Sequence, residues 1–421
     1  MASLGVSAQD TITIMQYNLC YYGNFNSSYA NCNESTNSTE LKNECIRKIV
    51  GHIQPDIITV NEMGATQALI NSFMDKNLNI NGITYWKTSN MINYASSNII
   101  NSIYYNSQKL ALKKHDVIRT SVRDIDVYEL YFRTASLHIH DTISLVCVVA
   151  HLKAGNSDDD IAKRRVMTQL TMDYLQEHYP ADNVLFMGDF NFYSSNESAY
   201  KLMTSTYSNP DILFIDPAGP TGVGQWNNNP YYSPYFTQST NRNSGGCKSG
   251  GGLDDRFDFI MMSDEIGFGF KNVRYVANSY HAFGNDGNSF DQSINNPNNT
   301  SLPADILNSL YNCSDHLPIC MKLSVNANLS LTEASPDKLH LTLRPNPTQG
   351  QCSLGFYNET PGMVMIEVFN NVGQLIDSQQ VYYCEGSHYH SMQTERYQKG
   401  FYMVRVSNAR GLAETTKLVV Q

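Results

Sequence analysis

Short apolar runs that end on a carboxylate, a carboxamide or an imidazole recur along most of this chain, and they limit what it can fold into. The sharpest is Val184-Leu185-Phe186-Met187-Gly188-Asp189-Phe190-Asn191. The apolar run predicts a buried strand. Gly188 lets the backbone turn tightly at its end. Asp189 and Asn191 stand two apart, so on extended chain their side chains face the same way. A carboxylate and a carboxamide there can orient a nucleophile or hold a scissile phosphate. Gly, Asp and Asn are also the residues of an ordinary strand-ending turn, so this stretch taken alone leaves both readings open.

The other strand ends shift the balance. Thr11–Tyr17 alternates as a strand and delivers Asn18, and Pro55–Val60 delivers Asn61 and Glu62. Ile143–Ala150 ends at His151, Arg256–Met262 carries Asp258, and Asp315 and His316 precede the strand Ile319–Val325. Strands are also expected at Ser97–Tyr105 and at Val127–Ser136, the second containing Arg133. Helical spacing falls at Leu41–His52, Ala65–Phe73 and Asp158–Tyr179. Strands alternating with helices predict a layered α/β domain. A lone buried His or Asp is commonly a satisfied core group, but a full set at strand termini is harder to dismiss. Hard oxygen donors with few nitrogens suit Mg²⁺, Mn²⁺ or Ca²⁺. No Cys-x-x-Cys pattern suggests zinc. A divalent cation beside a histidine base suits phosphoester hydrolysis.

The motifs Gln16-Tyr17-Asn18, Val60-Asn61-Glu62, Ala150-His151-Leu152, Gly188-Asp189-Phe190-Asn191, Arg256-Phe257-Asp258 and Ser314-Asp315-His316 together resemble the endonuclease/exonuclease/phosphatase superfamily. Its members include deoxyribonuclease I, abasic-site endonucleases, neutral sphingomyelinases and inositol-polyphosphate phosphatases. The resemblance covers residues from about 10 to 328. It implies a four-layered α/β sandwich, two sheets packed face to face with helices outside. It implies Glu62 as the principal metal ligand, helped by Asn18 and Asp315, with Mg²⁺ expected and Mn²⁺ or Ca²⁺ as alternatives. His316 would be the general base or a phosphate-stabilising partner, with Asp258 fixing its ring. Asp189 and Asn191 would orient the water and bind the scissile phosphate. His151 would face it from the other side, at the leaving oxygen. Arg133 would contact phosphate. Asn61 stands where Gln usually precedes the metal-binding Glu, and Cys20 where many abasic endonucleases keep an acid. Phe190, Phe192 and Tyr193 replace the Leu, Tyr and Arg typical of inositol phosphatases.

The tail is a separate story. Residues 329–338 read as a linker, and 339–421 as short alternating strands, a small all-β sandwich. Arg344-Pro345-Asn346-Pro347, Asn371-Val372-Gly373-Gln374, Gly400-Phe401-Tyr402-Met403-Val404 and Lys417-Leu418-Val419-Val420-Gln421 resemble the C-terminal sorting domain of the Bacteroidetes type IX secretion system. That resemblance implies secretion machinery as a partner and a secreted or cell-surface product. A carbohydrate- or protein-binding β-module is the plainer alternative. Residues 1–9, with Val6-Ser7-Ala8, read as the remnant of a secretion signal.

Composition adds bounds. The 421 residues allow two or three domains, and a net charge of −10 argues against a broad basic nucleic-acid platform but not against local contacts. No apolar run is long enough to span a membrane. Nine cysteines suit an oxidising compartment, and an odd count leaves one over. Cys32 with Cys45, and Cys247 with Cys313, are candidate pairs. Residues 219–252 form a long loop rich in Gly, Asn and aromatics. The aromatics either pack over the domain rim or meet a lipid surface or bases. Three functions follow as expectations: a secreted monomeric nuclease for DNA or RNA, a sphingomyelinase-like lipid phosphodiesterase, or a catalytically silent surface-binding protein.

Overall fold

The computed structural model describes residues 10–25, 31–133, 142–205, 212–219, 221–326, 339–344, 346–358, 360–384 and 386–421. The expected signal remnant and linker lie outside them. The described residues divide into two compact units, one ending at 326 and one starting at 339.

The first unit is built on two mixed sheets. One runs Val273–Tyr275, Ile319–Val325, Asp10–Tyr22, Ile57–Gly64, Ile99–Asn106, Trp86–Thr88, with His281–Ala282 also on Ile319–Val325. The other runs Leu110–Ile118, Ile125–Phe132, Ser144–His151, Val184–Asp189, Asp258–Ser263, Phe214–Ile215. Their central strands are continuous apolar runs because both faces are covered: every residue of Ile99–Asn106 and of Val184–Asp189 is buried. The sheets face each other across one core. Thr59 Oγ1 donates to Met187 Sδ at 3.0 Å across it.

Helices close the outer faces. Thr39–Ile53, Gln67–Asn77 and Ala304–Cys313 lie over the first sheet, and Asp158–His178 and Ser198–Thr204 over the second. Thr39–Ile53 starts where Ser38 caps Leu41 N–H and stops where Gln54 turns left-handed. Asp158–His178 starts on a Ser157/Asp160 capping box with acids in its first turn. The result is the four-layered α/β sandwich expected.

Register places the strand ends together. Ser144–His151 and Val184–Asp189 run parallel with His151 opposite Asp189, and Asp258 stands opposite Asp189 on the antiparallel side. One row across the sheet therefore reads His151, Asp189, Asp258. Gly188 is required there: its φ is +143°, and a Cβ would come within 1.8 Å of Ala150 O. In the first sheet Asn18 pairs with Asn61. Glu62 sits at φ +57° where the register shifts between Val60 and Met63, a bulge that re-aims its side chain.

The second unit has a sheet of Thr342–Arg344, Gln351–Asn358 and Gly386–Gln393, and another of Leu375–Tyr383, Gly362–Asn370, Gly400–Ser407 and Ala413–Val420. Both contribute to one core, with Leu354, Phe356, Val364, Ile366, Val404 and Leu418 inside. This is the small β-sandwich expected. The strand Gly386–Gln393 was not anticipated, because Ser387-His388-Tyr389-His390-Ser391 carries no apolar signal.

Several expectations are corrected. The strand holding Arg133 is bounded at Phe132, and residues 134–136 lie outside the described set. The edge strand Leu110–Ile118 and the helix Ala304–Cys313 went unread. Among the described residues the one disulfide joins Cys32 to Cys247, neither of the candidate pairs. Cys45 and Cys313 are buried free thiols. The long 219–252 loop contains a 3₁₀ turn at Pro230–Tyr235. Trp226 and Phe236 are fully buried, with Trp226 Nε1 donating to Phe192 O at 2.7 Å, while Tyr231 is 71% exposed. The aromatics pack mostly inward.

Candidate active site

Both sheets deliver their polar strand ends to one place. Asp189 Oδ2 is the junction. Asn18 Nδ2 donates to it at 2.9 Å, His151 Nε2 lies 3.5 Å away and His316 Nε2 3.8 Å away. Asn61 Oδ1 accepts from Asp189 N–H at 2.9 Å, and Asn61 Nδ2 donates to Ala150 O at 3.2 Å, so one carboxamide locks the two sheets at the site. Asp189 Oδ1 accepts from Asn191 N–H at 3.1 Å. Asn191 holds the left-handed conformation, φ +53°, and its Nδ2 reaches Leu152 O at 3.4 Å.

Glu62 accepts from Asn18 Nδ2 at 3.2 Å and from Tyr21 N–H at 3.0 Å, and its Oε1 lies 3.9 Å from His151 Nε2. His316 is held by Asp258, Nδ1 to Oδ2 at 2.7 Å. Its backbone N–H donates to Ser314 Oγ, which in turn donates to Asn18 O. Asp315 Oδ2 accepts from Ser249 N–H at 2.8 Å.

The electrostatics follow from burial. Desolvation is the main force that raises Glu62, with Asp315 adding to it and His316 opposing. Burial likewise raises Asp189; His316 opposes this and Asp258 and Glu62 reinforce it. Burial works against charge on His316, yet Asp258 and then Asp189 hold its imidazole well above the usual range. His151 goes the other way, pushed well down by burial and then by Arg123 and His316. Two imidazoles a few ångströms from one carboxylate are thus driven to opposite protonation states.

Glu62, His151 and Asp189 each bring one donor atom to within 4.8 Å of the others, a span that one ion can bridge. Buried carboxylates pushed upward by lack of solvent are a donor set that a hard divalent cation fits. The expected set of Glu62, Asn18 and Asp315 differs. Asn18 acts as donor to both carboxylates, while its Oδ1 accepts from Cys20 N–H at 2.9 Å. Asp315 acts on Glu62 through its charge.

Arg133 is not part of the site. Tyr131 pairs with Ser144, the end of that strand remote from His151. Eight residues from Ile125 at the site end place it roughly 25 Å away, and it is exposed with Nε on Leu110 O. The site's arginine is Arg123, which sequence reading missed. Its Nε donates to His151 O at 3.0 Å and its Nη2 to Leu152 O at 2.8 Å. Its charge acts on Glu62 and Asp189. It comes from the turn before Ile125, where no motif marks it.

Residues 342–421 match the family model described as a secretion system C-terminal sorting domain. No curated protein matches the chain in sequence. Solved structures that resemble it include an endonuclease/exonuclease/phosphatase from Beutenbergia cavernae, at 13% identity and TM-score 0.45 over 97% of this chain and 100% of that one. They include D. rerio TDP2 complexed with single-strand DNA product, at 12% identity and TM-score 0.45 over 74% and 98%. They also include the human Nocturnin catalytic domain with bound sulfate, at 13% identity and TM-score 0.44 over 76% and 97%. The chain carries a secretion-system sorting domain C-terminal to a four-layered α/β sandwich, and that sorting domain marks it for export to the cell surface or the extracellular space.

Proposed function

We propose that the first unit is a divalent-metal-dependent phosphodiesterase that hydrolyses extracellular DNA or RNA. The observation that carries this reading is the placement of Asp189. It faces His316, which Asp258 holds, on one side and His151 and Glu62 on the other. That leaves one carboxylate to direct water and two imidazoles to meet oxygens of a phosphate.

Glu62 would hold the cation, with Asn18 fixing its carboxylate and Asp315 adding negative charge. When bound, the cation neutralises charge building on the phosphate in the transition state. Asp189, raised above an ordinary carboxylate, takes the proton of the attacking water as the new O–P bond forms. Of the two roles open to His316, its upward shift favours the charged, phosphate-stabilising one. Asn191 N–H and Asn61 hold Asp189 in its aim. His151 meets the leaving oxygen as the old P–O bond breaks.

Export puts polymeric nucleic acid within reach, and a few local contacts suffice to bind it despite the net charge. The lipid reading gains little from the aromatic loop, where Trp226 and Phe236 are buried and Tyr231 stands exposed. The test sets plasmid DNA beside sphingomyelin vesicles, each with Mg²⁺, with Ca²⁺ and with chelator. Metal-dependent nicking lost in His316→Ala is the expected result. Choline-phosphate release with intact plasmid would move the protein to the lipid enzymes.

A further inference from the structure

Gln238 lies against the catalytic imidazole. Its side-chain nitrogen is 2.7 Å from His316 Nε2, the ring nitrogen that faces Asp189. The segment bearing it is clamped on both sides. Gln238 O accepts from Asp254 N–H at 3.0 Å and Asp255 N–H at 2.9 Å, and Gln238 pairs across from His316 itself. On either side of it Leu317 N–H donates to Thr237 O at 2.7 Å and Thr240 N–H to Asp315 O at 2.9 Å. Thr237 Oγ1 accepts from the backbone N–H of Phe257 and Asp258. The same short segment therefore fixes the Asp258 backbone, the Asp315–Leu317 backbone and one end of the His316 ring. Gln238 is half-buried.

We propose that Gln238 is a positioning residue for the phosphodiester hydrolysis proposed above, one that pins the Nε2 end of His316 while Asp258 pins the Nδ1 end. This inference rests on that reading of the site. A ring bonded at one nitrogen can still swing; bonded at both, it keeps its edge toward Asp189. The residue type fits the task. A primary amide donates through its N–H to Nε2 of the substrate-free ring, and an arriving phosphate oxygen takes that place once the ring is set. Glutamate could only accept, and methionine, of similar reach, could not donate.

The experiment compares wild type, Gln238→Met, Gln238→Glu, His316→Ala and the Gln238→Met/His316→Ala double variant. Steady-state hydrolysis of bis(p-nitrophenyl) phosphate with Mn²⁺ is one arm. The other is ¹⁵N NMR of the chelated, substrate-free protein, with the His316 ring nitrogens assigned by their loss in His316→Ala. Both Gln238 variants should lose about ten- to a hundredfold in kcat, with KM moved less than about threefold. In the His316→Ala background, Gln238→Met should add less than about twofold, because its partner is gone. In Gln238→Met the Nε2 resonance should move while Nδ1, on Asp258, stays. An unmoved Nε2 overturns the inference whatever the assay shows. A moved Nε2 with unchanged kcat overturns the positioning role. A wild type inactive on every phosphodiester would overturn the proposed function instead, a failure the NMR arm keeps separate.

Discussion

Two of the buried charge clusters in the first unit are built on opposite terms. Arg256 and Asp216 form a matched pair. Arg256 Nη1 and Nη2 reach the two Asp216 oxygens at 2.8 and 2.7 Å; Nη1 also donates to Gly222 O and Nη2 to the Tyr280 hydroxyl. Tyr200 donates to Asp216 at 3.0 Å, and the guanidinium stacks on Phe259. The cluster of Glu62, Asp189 and His151 is the reverse. Its carboxylates are raised, and its arginine, Arg123, gives its hydrogen bonds to backbone carbonyls. His151 Nδ1 is buried with no hydrogen-bond partner among the described residues. Matched buried charge holds a fold together; mismatched buried charge is kept for something that arrives from outside.

The widest separation comes from one variant in each cluster. Arg256→Met leaves Asp216 buried without its partner and should lower the unfolding free energy by about 3–5 kcal/mol, read by urea denaturation. His316→Asn, whose amide can still donate to Asp258, should lower turnover by about 10²–10⁴-fold while the urea midpoint stays near wild type. Equal destabilisation by the two would erase the distinction between the clusters.

A covalent tie braces the mismatched cluster. The Cys32–Cys247 bond spans 215 residues, and two residues on from Cys247 the Ser249 N–H holds Asp315. The Cys32→Ser/Cys247→Ser variant should lose about 2–4 kcal/mol by denaturation. It should also need more Mn²⁺ for half-maximal activity, as Asp315 loosens. Stability loss with unchanged metal demand would confine the disulfide to the fold.

Much of this was legible in the sequence, and the residues show why. Asn18, Glu62, His151, Asp189, Asp258 and His316 each end or border a strand whose apolar run announces it, and strand register then aligns them. What stayed hidden lies in loops. Arg123 sits in a turn and Gln238 in a polar stretch far from any motif. The Cys32–Cys247 pairing depends on two loops meeting in space. Arg133 misled for a related reason: strand composition does not reveal strand direction, and direction put it at the wrong end. The polar strand Gly386–Gln393 lacked any hydrophobic signal at all.

If the Glu62 cluster awaits a cation, adding one should stabilise the protein. Mn²⁺ at a hundred times its dissociation constant should add about 2.7 kcal/mol, seen as a rise in melting temperature that chelator reverses. Glu62→Gln should abolish the rise. In the metal-free protein the same change removes a charge held in strain and should add about 1 kcal/mol. A Glu62→Gln protein that still responds to Mn²⁺ would place the cation elsewhere.

The smallest effect expected belongs to a carboxylate outside both clusters. Asp254 adjoins the segment bearing Gln238, its N–H on Gln238 O. Burial, then Asp255 and Asp291, push its carboxyl up to about 7. The sign follows from linkage. The folded state holds this proton more tightly than the unfolded chain. The stability it contributes is therefore full below the ordinary carboxylate range and lost as pH rises toward 7. Asp254→Asn removes that loss. Its urea midpoint should match wild type near pH 4 and exceed it at pH 8, by about 1 kcal/mol once solvent screening of a partly exposed group is allowed for. In the two clusters the buried charge is either answered by a fixed partner or held for a ligand. Asp254 has neither fixed cation nor catalytic row, so its substitution should move the pH dependence of stability and leave turnover alone. A fall in turnover would instead tie the Asp254–Asp255 backbone, through Gln238, to the chemistry of His316.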